Sequence, residues 1–260
     1  MIQSAEAMRL AIKRDKFCGV ILFEGPSAID GAPVVIIANR IETASNNVKT
    51  GALVQTFIMR ADIPPLEAVK TGADHAVCGD CPARPALGGF CYVNIGQAPT
   101  STFKAYQRGR YARPGIDFDP ALLPELFAGS LFRLGTYGDP GAAPINFWGP
   151  IVRHCKAVNG YSHQWQARPD LRAHCMASVE TETQAETAKA LGWRTFRVRL
   201  AVEAKLPGEV ICPASKEAGA KTTCADCRAC GGINAKAKAP IVIVAHGPKA
   251  RRYEAFRAKA

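Results

Sequence analysis

From residue 130 onward the chain alternates short β-branched apolar runs with helical stretches, and this alternation limits its possible folds more than any other feature. "LFRLGTYG" (131–138) reads as a strand and "PINFWGPIVRHCKAV" (144–158) as a helix. "GYSHQWQ" (160–166) and "CMASVE" (175–180) read as short strands, and "TQAETAKALG" (183–192) as a helix that Thr181 or Thr183 can cap. "RTFRVRL", "EVICPAS" and "PIVIVAHG" are three further strands before a helical tail. Such spacing predicts βαβ units and a parallel sheet, either open or closed into part of a barrel. The earlier part reads differently: a helix over 4–15, then "GVILFE" and "PVVIIAN" as a hairpin around the turn-rich "GPSAIDGA". A strand in "GALVQTFIMR" and a short helix in "PPLEAVKTGA", with Pro at its start and Gly at its end, complete it. The expected organisation is an N-terminal helix plus β-rich extension over 1–72, then an α/β partial barrel over 73–260.

In barrels the chemistry gathers at the C-terminal ends of the strands. Polar residues occupy those places here in succession: Asp139, His163, Gln164, Glu180, Cys212 and His246. They are expected to share one site, with Asp139, His163 and Glu180 as the catalytic candidates.

Ten cysteines in a chain without an evident signal peptide point to reduced thiols and metal binding rather than a disulfide framework. Cys212, Cys224, Cys227 and Cys230 are spaced C-x11-C-x2-C-x2-C, a complete four-thiolate set for zinc or an iron–sulfur cluster. His246 is a possible substitute for Cys212. "VCGDCPARPALGGFCYV" holds only Cys78, Cys81 and Cys91. As a zinc site it would take His75 as fourth ligand; as an iron–sulfur site it would leave one position open for a small molecule, as a catalytic metal requires. Cys18, Cys155 and Cys175 are expected to be buried thiols.

The formal net charge of +11 favours an anionic partner, nucleic acid first. Basic and aromatic residues interleave in "FKAYQRGRYARPG" (103–115) and "GPKARRYEAFRAKA" (247–260), which puts Arg108, Arg110, Arg113, Arg251 and Arg252 forward as nucleic-acid contacts; solvated amphipathic helices are the alternative. Apolar content of 48% with no run of membrane-spanning length predicts a cytoplasmic protein with no membrane partner.

Three features resemble a group of phage and prophage proteins that are similar to radical S-adenosylmethionine (radical SAM) enzymes. "GGFCYV" resembles the last cluster cysteine with its aromatic neighbours, and "RLGTYGDP…FWGPIV" resembles the strand–Gly–acid–Pro–helix unit that holds the SAM amino group. The order "GYSHQW", "CMASVETETQAETAKALGWRTFRV", "CPAS…TCADCRACGG…IVIVAHG" resembles the rest of that group. The resemblance covers roughly 75–247 and implies a (β/α) partial barrel of radical SAM type, in a bacterial host or phage-infected cell. It implies a [4Fe–4S] cluster on Cys78, Cys81 and Cys91 with SAM on the open iron, Phe90 near the adenine, and Gly138 and Asp139 at the amino group. Glu180 would contact the ribose or methionine part of SAM, and the four-cysteine set would hold a second cluster or zinc. The implied activity is radical hydrogen abstraction, fed by an electron donor, from a nucleic acid or nucleotide. Two features depart from the radical SAM pattern: the spacing is C-x2-C-x9-C instead of C-x3-C-x2-C, and the acid is Asp rather than Glu. The alternatives are a zinc-binding, non-catalytic nucleic-acid-binding protein, and a nucleobase transglycosylase-like barrel with Asp139 as nucleophile.

Overall fold

Val20, Ile21, Val34–Ala38, Ile58 and Met59 are almost wholly shielded from solvent, because the three apolar runs of the first sixty residues pair with one another. The structure is a computed structural model that describes residues 1–43, 49–247 and 249–258. Strands β1 (Gly19–Pro26), β2 (Pro33–Asn39) and β3 (Val54–Arg60) form an antiparallel meander behind helix α1 (Ala5–Lys13), which Ser4 caps through its hydroxyl. Helix α2 (Pro65–Thr71) starts on Pro65 and ends at Gly72, as its punctuation predicts. A short α3 (His75–Cys78), α4 (Ala98–Gln107), the two-residue β4 (Tyr111–Ala112) and α5 (Leu123–Leu126) then lead to β5 (Leu131–Tyr137).

Beyond β5 come α6 (Trp148–Val152), β6 (Ala157–Ser162), β7 (Met176–Val179), α7 (Glu182–Ala190) and β8 (Thr195–Arg199). The chain closes with β9 (Val210–Ile211), α8 (Cys224–Cys227), β10 (Ile241–Val244) and α9 (Ala250–Arg257). Among the described residues ten strands make one sheet in the order β4-β1-β2-β3-β5-β6-β7-β8-β10-β9. Only β2 runs against the others. The expected mixed α/β class with a largely parallel sheet is therefore present. From β3 to β10 each parallel strand is added on the same side of its predecessor, except β9 and the two-residue β4, which pairs with β1 at the opposite edge. The sheet is open, with β4 and β9 at its edges.

Two local expectations need correcting. The helix predicted over 144–158 is confined to Trp148–Val152, because Ala157–Gly160 pair with Leu131–Leu134 of β5 and extend β6 towards the N-terminus. In the basic segment 103–115, the helix stops at Gln107 and Tyr111–Ala112 become an edge strand beside β1. In both places pairing with a distant strand outweighs local helix preference.

Faces alternate as β geometry requires. Phe132 and Leu134 enter the main apolar core, while Arg133 and Gly135 point to a cavity on the other face. Residues on the strands that follow continue that wall: Asn159 and Tyr161 of β6, Ser178 of β7, Phe196 and Val198 of β8, and Ile241 and Ile243 of β10. Five adjacent strands, β5, β6, β7, β8 and β10, thus line one cavity.

Candidate active site

The cavity holds about 340 Å³ and lies over the C-terminal ends of the parallel strands. All seven cysteines of the two groups line it: Cys78, Cys81 and Cys91 from the crossover between β3 and β5, and Cys212, Cys224, Cys227 and Cys230 from the chain around β9 and α8. Asp139, His163, Glu180 and His246 line it too, so the strand-end residues do meet. Gln164 lies behind the wall, its Nε2 donating to the carbonyl of Cys78 at 3.2 Å.

The first cysteine segment is tied down by a pair that sequence reading passes over. Buried Arg84 donates to Asp74 Oδ1 at 2.7 Å, to the Gly72 carbonyl at 2.9 Å and to the Gly79 carbonyl at 3.2 Å. These bonds clamp both sides of the Cys78–Cys81 turn. The nine residues between Cys81 and Cys91 fold back as a closed loop: the Cys91 amide donates to Ala83 O at 2.8 Å and that of Gly89 to Arg84 O at 3.0 Å. A Cβ at Gly89 would stand 2.5 Å from the Ala83 carbonyl carbon, so only glycine admits this approach. The unusual spacing thus still delivers Cys91 to the others. Burial pushes the Cys78 thiol well up, and neighbouring Cys81 and Cys91 add to it. His75 is turned away, with Nδ1 3.3 Å from Asp30 Oδ2, and does not line the cavity.

His163 stands beside Cys81 instead. Its Nε2 is 2.8 Å from Glu180 Oε1 and its amide donates to Asp139 Oδ2 at 2.7 Å. Burial opposes protonation of the imidazole, but Cys81 and Glu180 outweigh it and hold its pKa well above the ordinary value. Asp139 Oδ1 also accepts from Ser162 Oγ at 2.7 Å and Gly141 N at 2.8 Å; burial pushes this carboxyl up and these donors pull it back. Glu180 is placed by a capping box, Thr181 with Gln184, that starts α7 one residue later. At Gly138, the space of a Cβ is filled by Ile58 and Val77, which pack the end of β5 against β3 and α3. Phe90 lines the cavity and packs edge-on to Tyr253 of α9, ring centroids 4.6 Å apart.

The second group sits in its own apolar cluster with Met176, Ile241 and Ile243. Cys212 follows β9, its amide bonded to Val242 O at 2.8 Å. Thr223 caps α8, and the amides of Cys224 and Ala225 bond to the carbonyls of Lys49 and Thr50 ahead of β3. The Cys230 carbonyl accepts from Gly160 N at 3.0 Å, docking the loop on β6. Burial pushes the Cys230 thiol up to about 12, with Tyr161 opposing and the other three thiols adding to the rise. His246 bonds through Nδ1 with the Val244 carbonyl and stacks on Tyr92, so Cys212 is the better-placed fourth thiol.

Among the described residues no group of three or more His, Cys, Asp or Glu side chains stands in a metal-holding arrangement. The donor chemistry nevertheless fits thiophilic metals: three thiols with an imidazole nearby on one side, four thiols on the other. Cys175 is buried and Cys18 and Cys155 are partly buried, away from the cavity.

The basic candidates divide. Arg110 pairs with Asp15 at 2.9 Å and Arg113 with Glu24 at 2.8 Å, whereas Arg108, Arg251 and Arg252 are exposed. Pro248, Lys259 and Ala260 of the basic tail lie outside the described residues. No helix among the described residues is long and apolar enough to cross a membrane. Comparison with protein-family models, with curated proteins and with solved structures found no match.

Proposed function

We propose that this chain is an iron–sulfur enzyme of radical SAM type, built on a six-stranded partial barrel of β3, β5, β6, β7, β8 and β10, and that it acts on a nucleotide or nucleic acid. One observation carries the reading: two cysteine groups far apart in sequence line a single cavity at the strand ends, three thiols in one group and four in the other. A structural zinc site is closed by four ligands and needs no cavity, whereas a three-thiolate site beside one has a position for a small molecule. With SAM bound, an iron–sulfur cluster supplies one-electron chemistry that ends in hydrogen abstraction.

The chain's own residues do the rest. Cys78, Cys81 and Cys91 would hold the first cluster, and Cys212, Cys224, Cys227 and Cys230 the second cluster or zinc. Asp139 keeps acceptor capacity on Oδ2 for an ammonium donor, and His163 with Glu180 holds a proton between Nε2 and Oε1. Phe90, Phe196, Val198, Ile241 and Ile243 make the walls apolar and exclude water.

A zinc-binding, non-catalytic nucleic-acid-binding protein is the second reading. It is favoured by His163, whose contact with Glu180 is the outer carboxylate–imidazole pairing usual behind a metal-bound histidine. Purification without oxygen separates the two, followed by analysis of iron, sulfide and zinc in wild type, Cys78→Ala and Cys224→Ala. Brown protein in which each variant loses one site supports the enzyme; colourless protein with two zinc ions overturns it. Loss of both sites from either change would mean that a metal is needed for folding.

A further inference from the structure

Arg133 and Asn159 are partner residues across the β5–β6 pairing, and both face the cavity. Asn159 is 6% exposed, and its Oδ1 has no hydrogen-bond partner among the described residues. A buried carboxamide oxygen left without a donor is uncommon in a folded protein. Arg133 has no carboxylate partner among the described residues; its guanidinium makes one hydrogen bond, to Tyr92 Oη at 3.2 Å. A donor-rich cation and an acceptor without a donor thus stand side by side on adjacent strands, about 4.8 Å apart along the pairing direction.

We propose that Arg133 and Asn159 recognise a lactam edge, the ring C=O next to a ring N–H that uracil-, thymine- and guanine-type bases carry. The ring N–H donates to Asn159 Oδ1 and the ring carbonyl accepts from Arg133. An open-chain secondary amide does not fit, because its trans geometry sends N–H and C=O in opposite directions. A lactam ring holds both on one side. Tyr161, two residues beyond Asn159 on the same face, is tilted against Phe196 with centroids 4.4 Å apart and offers an aromatic surface for a planar ring. Cys224 and Cys230 line the same cavity as Arg133, Asn159 and Tyr161, which sets this edge beside the four-cysteine group. The inference deepens the proposed function, since it takes the cavity to be the substrate site.

The test is calorimetric titration of the full-length, anaerobically prepared protein with uridine, guanosine, cytidine, adenosine and 3-methyluridine, which lacks the ring N–H. Uridine and guanosine are expected to bind roughly tenfold or more tighter than the other three. Asn159→Ala is expected to erase that preference with metal content unchanged, and Arg133→Gln to weaken uridine binding. Equal affinity for uridine and 3-methyluridine overturns the inference, as does absence of binding by every nucleoside and by short oligothymidine. If Asn159→Ala does not fold, the wild-type comparison of uridine with 3-methyluridine decides alone. A preference shown by oligothymidine over oligocytidine, but by no free nucleoside, assigns the pocket to a base within a strand. Iron, sulfide and zinc measured on the same samples keep the two readings separate. Lactam selectivity in a zinc protein retains the recognition pair and removes the radical chemistry; iron-loaded protein without selectivity does the reverse.

Discussion

His163 Nε2 lies 2.8 Å from Oε1 of buried Glu180, while the same imidazole stands beside Cys81. The placement of His163 bears on whether the proposed first metal site is open or closed. With three thiolates sufficient to hold a cluster, His163→Ala is expected to leave the iron content of anaerobic protein unchanged. Loss of one metal equivalent, read by elemental analysis, would make His163 a ligand and the site a closed one.

Arg84 and Asp74 are both buried, and the pair spans the base of the first cysteine turn. Removing one partner strands the other charge, so Arg84→Met is expected to destabilise the fold by about 3 kcal/mol or more. Asp74→Leu with Arg84→Met is expected to be milder than Arg84→Met alone, because no buried charge is left unpaired. Chemical denaturation of the two variants checks this, and a double variant worse than the single one would refute it.

Arg168 binds Asp170 through two bonds of 2.9 Å and donates to Ala143 O at 2.7 Å and to Gly141 O, holding the loop that begins at Asp139. Burial raises the Asp170 carboxyl, but Arg168 and the Asn146 amide outweigh it and hold the pKa below the ordinary 3.8. A folded-state value below the unfolded one means that the stabilisation is complete above pH 3.8 and fades as the pH falls through the folded value. Asp170→Asn is expected to cost roughly 1–3 kcal/mol at neutral pH. Urea unfolding across the acid range should show the gap to wild type closing; a gap constant with pH would rule out this origin.

Arg110 and Arg113 already have carboxylate partners, so the proposed nucleic-acid contact is assigned to the exposed Arg108, Arg251 and Arg252. Replacing these three with Ala is expected to lower affinity for single-stranded nucleic acid and to reduce the log–log salt slope by roughly 0.7 per lost phosphate contact. An unchanged slope in fluorescence anisotropy would remove them from the interface.

Local patterns made the secondary structure largely legible. The β-branched runs became strands, Thr181 capped α7, and Pro65 and Gly72 bracketed α2, because strand alternation and helix capping act over a few residues. The helix expected over 144–158 failed where β5 captured its second half, a contact no local window contains. The strand-end residues Asp139, His163, Glu180 and His246 were legible as a set because parallel strands with intervening helices bring their C-terminal ends to one side.

By itself the sequence determined which side chains are candidates for the chemistry: seven thiols in two groups, four strand-end acids and imidazoles, and an excess of positive charge. Tertiary structure alone decided that both thiol groups share one cavity, that Cys91 returns to Cys81 across a closed loop, and that His163 rather than His75 approaches the first group. It also decided that Arg133 and Asn159 lie side by side without acidic or donor partners of their own among the described residues. The reason is physical: spacing along a chain constrains only neighbours, whereas strand order chooses which distant residues face each other.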